Sequence, residues 1–240
     1  MNSSYEGAKM NIYAVPYAGG NISIYTNLKK YLTNEINVVP LEMSGHGSRI
    51  GEMLYYSIKD IANDIVSKIV ERDTDSEYAL LGYSMGGLVC LEMLAILNKK
   101  GKNLPSRVFL CASSIPEGRF ENIRNFNEQE LMEIIQNFGG TPDELWLNNE
   151  LKDLILPIFR ADLIAIAEYI PTRVKSLENS RICLIYTNDE HESISLWEKF
   201  VIGPYDTEYI SYQHFFIFEK YHLLGDIIKK YLIRDNLDGR

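Results

Sequence analysis

Gly82-Tyr83-Ser84-Met85-Gly86 is the stretch whose residue types and spacing could do covalent chemistry. An apolar run from Tyr78 to Leu81 leads in, and a segment of helical pattern from Leu88 to Leu97 leads out. G-x-S-x-G between a strand and a helix is what a nucleophile elbow requires. A serine there sits on a strained turn, so the residues two positions either side must be small. The turn lifts Oγ off the sheet. It also aims backbone N–H groups at the helix start toward charge developing on an attacked carbonyl. The five-residue pattern recurs by chance; its strand–helix setting favours a nucleophile over a plain glycine-rich turn.

A serine hydroxyl is a poor nucleophile near neutral pH and needs an imidazole to take its proton. The imidazole in turn needs a carboxylate to fix its tautomer and stabilise the imidazolium. Four histidines are present: His46, His191, His214 and His222. His46 precedes the serine, His191 crowds the acidic cluster, and His222 opens a helical pattern. His214 follows the last predicted strand and is the expected base. Asp189 is the first carboxylate past the strand Arg181–Tyr186 and is the expected acid. Glu190 and Glu192 stand behind it, and a solvated acidic turn is the plain alternative. Ser84, Asp189, His214 is the chain order of α/β-hydrolases. The loop Pro16-Tyr17-Ala18-Gly19-Gly20 follows an early strand, so Ala18 is expected to supply a second oxyanion N–H beside that of Met85.

The elements that must position these residues follow a βα rhythm. Met10–Val15 and Ile36–Leu41 read as buried strands, separated by a helical pattern over Ile22–Leu32. Ile61, Ile65 and Ile69 mark an amphipathic helix over Ile58–Val70, and Ser106–Ala112 is the strand after the elbow helix. From Pro116 to about Thr172 no clear strand appears. Asn127 with Glu130 has capping-box spacing and opens a helix to Phe138; Gly139-Gly140-Thr141-Pro142 ends it and starts another. Leu151–Ile170 is apolar nearly all round. Arg160 and Asp162 within it could form a structural ion pair, the favoured reading, or face a substrate entrance. Strands return at Arg181–Tyr186 and Thr207–Ser211, and a closing helix runs from about His222 to Leu232. The expected fold is a single α/β-hydrolase domain over residues 1–240: a mostly parallel sheet flanked by helices, with a helical lid insertion at about 116–172. The loop Ser44-Gly45-His46-Gly47-Ser48-Arg49 follows the second strand, which makes His46 and Arg49 near-site candidates.

Composition narrows the class. A chain of 240 residues with 46% hydrophobic and 24% charged residues fits one globular domain. The net charge of -9 argues against general nucleic-acid binding. Cys90, Cys111 and Cys183 all lie in apolar runs, as reduced buried thiols of a cytoplasmic protein would. No C-x-x-C pair or metal-spaced His cluster occurs, so a metal site has little support. No signal peptide or membrane-spanning run is evident, and a soluble, intracellular protein is expected.

Together these pieces resemble the type II (external) thioesterases of non-ribosomal peptide and polyketide biosynthesis. The resemblance runs over nearly the whole chain. It is carried by Pro16–Gly20, Gly82–Gly87, Gly139–Pro142, the lid piece Leu156-Pro157-Ile158-Phe159-Arg160-Ala161-Asp162, and His214-Phe215-Phe216. It implies an α/β-hydrolase core with a helical lid. It also implies hydrolysis of acyl thioesters carried on the phosphopantetheine arm of carrier proteins; separately, a monomer is expected. By motif position the resemblance implies Ser84 as nucleophile, Asp189 as acid, His214 as base, and Ala18 and Met85 as oxyanion donors. Thioester cleavage by a serine triad needs no metal or redox cofactor, and no cofactor is expected. Three departures stand out. Tyr83 replaces the usual His before the nucleophile, Ser44-Gly45-His46 replaces Pro-Gly-Arg, and the glycine upstream of Asp189 is absent. Because carrier proteins are usually acidic, a local Lys/Arg patch near the pocket mouth is expected. The chief rival reading is a carboxylesterase or lipase acting on free small esters; a non-catalytic binding protein and an acyltransferase are the others.

Overall fold

The computed structural model describes residues 10–32, 36–70, 76–118, 120, 122–139 and 148–233. Residues 140–147 lie outside these, so most of the Gly139–Pro142 piece receives no structural account.

The strands that lead to the site are buried on both faces. In β3 (Tyr78–Tyr83) every residue is buried. Tyr78 and Leu80 enter one core cluster, while Ala79, Leu81 and Tyr83 enter the other. This period of two is the strand pleat, and it explains why a two-sided core strand reads as a continuous apolar run. β1 (Met10–Val15) divides likewise, Tyr13 and Val15 to one side and Ile12 and Ala14 to the other. With β2 (Ile36–Pro40), β4 (Arg107–Cys111), β6 (Arg181–Tyr186) and β8 (Asp206–Tyr209), they form a six-stranded sheet in the order β2-β1-β3-β4-β6-β8. Every pairing in it is parallel, which puts all strand carboxyl ends along one edge.

Helices cover both faces. α2 (Ile58–Val70) buries Ile58, Ile61, Ala62, Ile65, Val66 and Ile69 on one stripe, beside α3 (Met85–Lys99). On the opposite face lie α1 (Thr26–Tyr31), preceded by a 3-10 turn at Ile22–Tyr25, and the closing helix α6 (Ile217–Leu232). The closing helix thus starts earlier than its sequence pattern suggests, with a non-helical Lys220 marking a kink.

Between β4 and β6 the chain forms α4 (Glu128–Phe138) and α5 (Asn149–Ala167). Asn127 and Glu130 form the reciprocal capping box that their spacing predicts. These helices carry a third apolar cluster of their own, built on Ile123, Leu131, Ile135, Leu156, Phe159, Leu163 and Ile164. Beyond α5, a two-residue parallel pairing of β5 (Val174–Lys175) with β7 (Val201–Ile202) forms a small second sheet. Elements so short leave no periodic signal in the sequence.

Candidate active site

Ser84 stands between β3 and α3 with φ 54° and ψ −117°, a conformation that non-glycine residues rarely adopt. Its neighbours explain the glycines. A Cβ on Gly82 would overlap the Gly86 carbonyl, and one on Gly86 would overlap the Val15 carbonyl. The strain is held by hydrogen bonds on both sides: the Ser84 N–H donates to the Cys111 carbonyl at 2.8 Å, and Ser113 Oγ donates to the Ser84 carbonyl at 2.8 Å. Met85 opens α3, so its N–H lies among those with no acceptor inside the helix.

His214 Nε2 lies 3.1 Å from Ser84 Oγ. On its other side, Nδ1 lies 2.6 Å from Glu190 Oε1. The carboxylate behind the imidazole is therefore Glu190, not the expected Asp189. The reason is local. Asp189 is exposed, and its Oδ2 accepts the backbone N–H of His214 at 2.5 Å. Glu190 is buried, and its longer side chain turns back under the loop. There Oε2 accepts from the Thr187 N–H at 2.9 Å and from Thr187 Oγ1 at 2.6 Å. Thr187 and Glu190 have capping-box spacing, a signal in the sequence that would have singled out Glu190. Burial pushes its carboxyl up, but the His214 contact and the Thr187 donors outweigh it, and Glu190 lies below the ordinary glutamate range.

With Nδ1–H donating to Glu190, Nε2 is left as an acceptor for the Ser84 hydroxyl proton. The backbone of His214 is held at both ends, since the buried Tyr83 hydroxyl donates to its carbonyl. Tyr83 thus anchors the histidine loop, a structural use for the residue that replaces histidine before Ser84.

Ser84, Met85, Ala18, Asp189, Glu190 and His214 all line one cavity of about 530 Å³. Its remaining wall is largely apolar, with Leu88, Phe120, Ile135, Phe138, Phe159 and Leu163 drawn from α3, α4, α5 and the segment before α4. Neither His46 nor Arg49 lines it. Arg49 pairs with Glu52 and Asp64, and His46 pairs with Asp162. Arg160 and Asp162 go separate ways, since Arg160 donates to the Phe126 carbonyl at 2.8 Å. The cavity wall holds no Lys or Arg among the described residues. Lys59, Lys99, Lys100, Arg173 and Lys175 instead line a groove around the far end of α3. His191 packs against Tyr186 and Tyr209, away from Ser84. Among the described residues no group of three or more His, Cys, Asp or Glu is arranged to hold a metal ion, and no helix is long and apolar enough to cross a membrane.

A parallel sheet, a strained serine at a strand–helix turn and a histidine after the last strand define the α/β-hydrolase class. Within that class the chain belongs to the thioesterase family: the thioesterase domain profile matches residues 10–231. It is 22% identical over 98% of its length to the rat medium-chain S-acyl fatty acid synthase thioesterase, covering 91% of that protein. It is 23% identical to the gramicidin S biosynthesis protein GrsT of Aneurinibacillus migulanus, over 93% of this chain and 89% of that one. Among solved structures, the RedJ thioesterase of the prodiginine pathway in Streptomyces coelicolor superposes with a TM-score of 0.83 at 25% identity, over 95% of this chain and 88% of the other. ClbQ of the colibactin pathway gives a TM-score of 0.84 at 24% identity, over 97% and 100%. The protein is a thioesterase.

Proposed function

We propose that this enzyme removes acyl groups from the phosphopantetheine thiol of carrier proteins, as an editing hydrolase of a non-ribosomal peptide or polyketide assembly line. The observation that carries the chemistry is the chain Ser84 Oγ, His214, Glu190, with separations of 3.1 and 2.6 Å, opening into a cavity with an apolar wall. The names of GrsT, RedJ and ClbQ support the assembly-line setting.

In this reading Ser84 Oγ attacks the thioester carbonyl while His214 Nε2 takes its proton and delivers it to the departing thiolate. Glu190 holds the Nδ1 proton and stabilises the imidazolium. The N–H groups of Ala18 and Met85 receive the developing oxyanion. Water, deprotonated by His214, then hydrolyses the acyl–Ser84 ester. A thioester carbonyl is poorly resonance-stabilised and thiolate leaves readily, so attack by Ser84 is the main barrier. The segment at about 116–172 acts as the lid: its described residues carry an apolar cluster of their own and line the cavity that Ser84 also lines. The apolar wall suits a hydrocarbon acyl chain.

The test is competitive. An acyl group loaded on a carrier protein and the same acyl group on a free oxygen ester are offered to the enzyme, and the two kcat/KM values are compared. Preference for the carrier-bound thioester by about 100-fold or more is expected; equal turnover, or preference for the free ester, would return the protein to the esterase reading.

A further inference from the structure

A second histidine–carboxylate pair lies outside the Ser84 site, fully enclosed. Asp162, on α5, is 1% exposed and His46, on the loop after β2, is 3% exposed. His46 Nε2 lies 2.9 Å from Asp162 Oδ2, and Nδ1 lies 3.0 Å from the Ser44 carbonyl. Both ring nitrogens therefore face acceptor oxygens. With Asp162 ionised, the arrangement is satisfied only when both nitrogens carry protons, which makes this a buried imidazolium–carboxylate pair. Such a pair recovers its desolvation cost only with good geometry and further hydrogen bonds.

The further hydrogen bond is the informative one. Asp162 Oδ2 also accepts the backbone N–H of Gly19 at 2.6 Å, while Oδ1 has no partner among the described residues. Gly19 has φ +70°, and the Phe159 ring, one turn earlier on α5, fills the space that a Cβ would need. Two residues of α5 thus grip the peptide that follows Ala18. A pair needed only to join α5 to the core could have met any surface; this one meets the loop beside Ser84.

We propose that Asp162 and His46 are positioning residues: their ion pair, through the Gly19 N–H, holds the Ala18 loop in its oxyanion-donating pose and couples that pose to the seating of α5. The proposal rests on the reading of Ala18 as an oxyanion donor. The charged groups acting on His46 are Asp162 from α5 and Glu42 from its own loop, both carboxylates. Burial lowers the affinity of His46 for its proton, but these carboxylates and the Ser44 carbonyl outweigh it, and it titrates above the ordinary histidine value of 6.5. The clamp is therefore complete at and below that pH and is lost as pH rises through the raised value.

The test reads the rate at which a fluorophosphonate labels Ser84, followed by intact mass. This step needs the oxyanion donors but no carrier substrate. The variants are Asp162→Asn, which keeps an acceptor for Gly19 but loses the charge, and His46→Arg, which keeps the charge but does not titrate. Labelling of Asp162→Asn is expected to slow about 30- to 100-fold. The kcat of unlabelled Asp162→Asn, normalised to the active sites titrated by the probe, should fall in parallel, with KM for a pantetheine thioester within about twofold. His46→Arg is expected to label near the wild-type rate at pH 6 and to lack a step in the alkaline profile that the wild type shows. Wild-type rates in folded Asp162→Asn, or the same alkaline step in His46→Arg, would overturn the proposal. Should Asp162→Asn fail to fold, the His46→Arg profile alone decides. Wild-type enzyme that takes no label at all would instead count against Ser84 as nucleophile.

Discussion

Glu190 and Asp189 are adjacent carboxylates with different work, and the difference follows from one methylene and one turn. Glu190 reaches the imidazole because its longer side chain passes under the loop to Nδ1, where Thr187 fixes the second oxygen. Asp189 reaches only the His214 backbone. Glu190→Gln is expected to lower kcat about 10³- to 10⁴-fold, because the amide cannot stabilise the imidazolium that forms. Asp189→Asn should cost less than about tenfold, since an amide oxygen still accepts the His214 N–H. Steady-state kinetics on a pantetheine thioester separates the two; a larger loss for Asp189→Asn would restore the assignment by sequence position. The pH dependence has a definite sign. Glu190 is held below its ordinary value of 4.5 in the folded state, so its contribution to stability is fully present above that pH and is lost as pH falls through the lowered value.

At the scale of elements, the parts legible in the sequence were those with a periodic or stereochemical signature. The elbow had glycines that only a close backbone approach requires, and α2 had isoleucines four residues apart. The capping box of α4 was spelled out by Asn127 and Glu130. Strand-end proximity points to Asp189 because it selects a position, not a side chain's reach, and two acidic residues, Asp189 and Glu190, follow β6. The partner of Asp162 was equally out of view, since His46 lies 116 residues away along the chain. A second long-range contact holds the segment that follows α5. Glu92, buried in α3, accepts from the Tyr169 hydroxyl at 2.8 Å and from the Thr172 N–H and hydroxyl at 2.8 and 3.0 Å. Glu92→Ala leaves these donors without an acceptor, and unfolding in urea should show a loss of about 3 kcal/mol. A loss below about 1 kcal/mol would mean that water replaces the carboxylate and that α5 does not depend on this anchor.

At the scale of the whole molecule, the parallel sheet brings the working groups to one edge, and described residues from the segment between β4 and β6 line the cavity they share. The three cysteines take no part. All are free and buried, and burial pushes each thiol up, so none offers a thiolate as a rival nucleophile. The charge distribution separates the chemistry from the cationic groove: the cavity wall is apolar and acidic, while Lys59, Lys99, Lys100, Arg173 and Lys175 gather at the opposite end of α3. In the proposed reaction a carrier-borne thioester enters that cavity and passes through an acyl–Ser84 intermediate. The most direct measurement is intact-protein mass spectrometry of an acyl-loaded carrier protein mixed with wild-type enzyme, with Ser84→Ala, or with buffer. Wild-type enzyme is expected to return the carrier to its free-thiol mass and transiently to gain the acyl mass on the peptide holding Ser84. Ser84→Ala should do neither. A carrier that keeps its acyl group in the presence of active wild-type enzyme, or one that is unloaded equally well by Ser84→Ala, would contradict the proposed reaction.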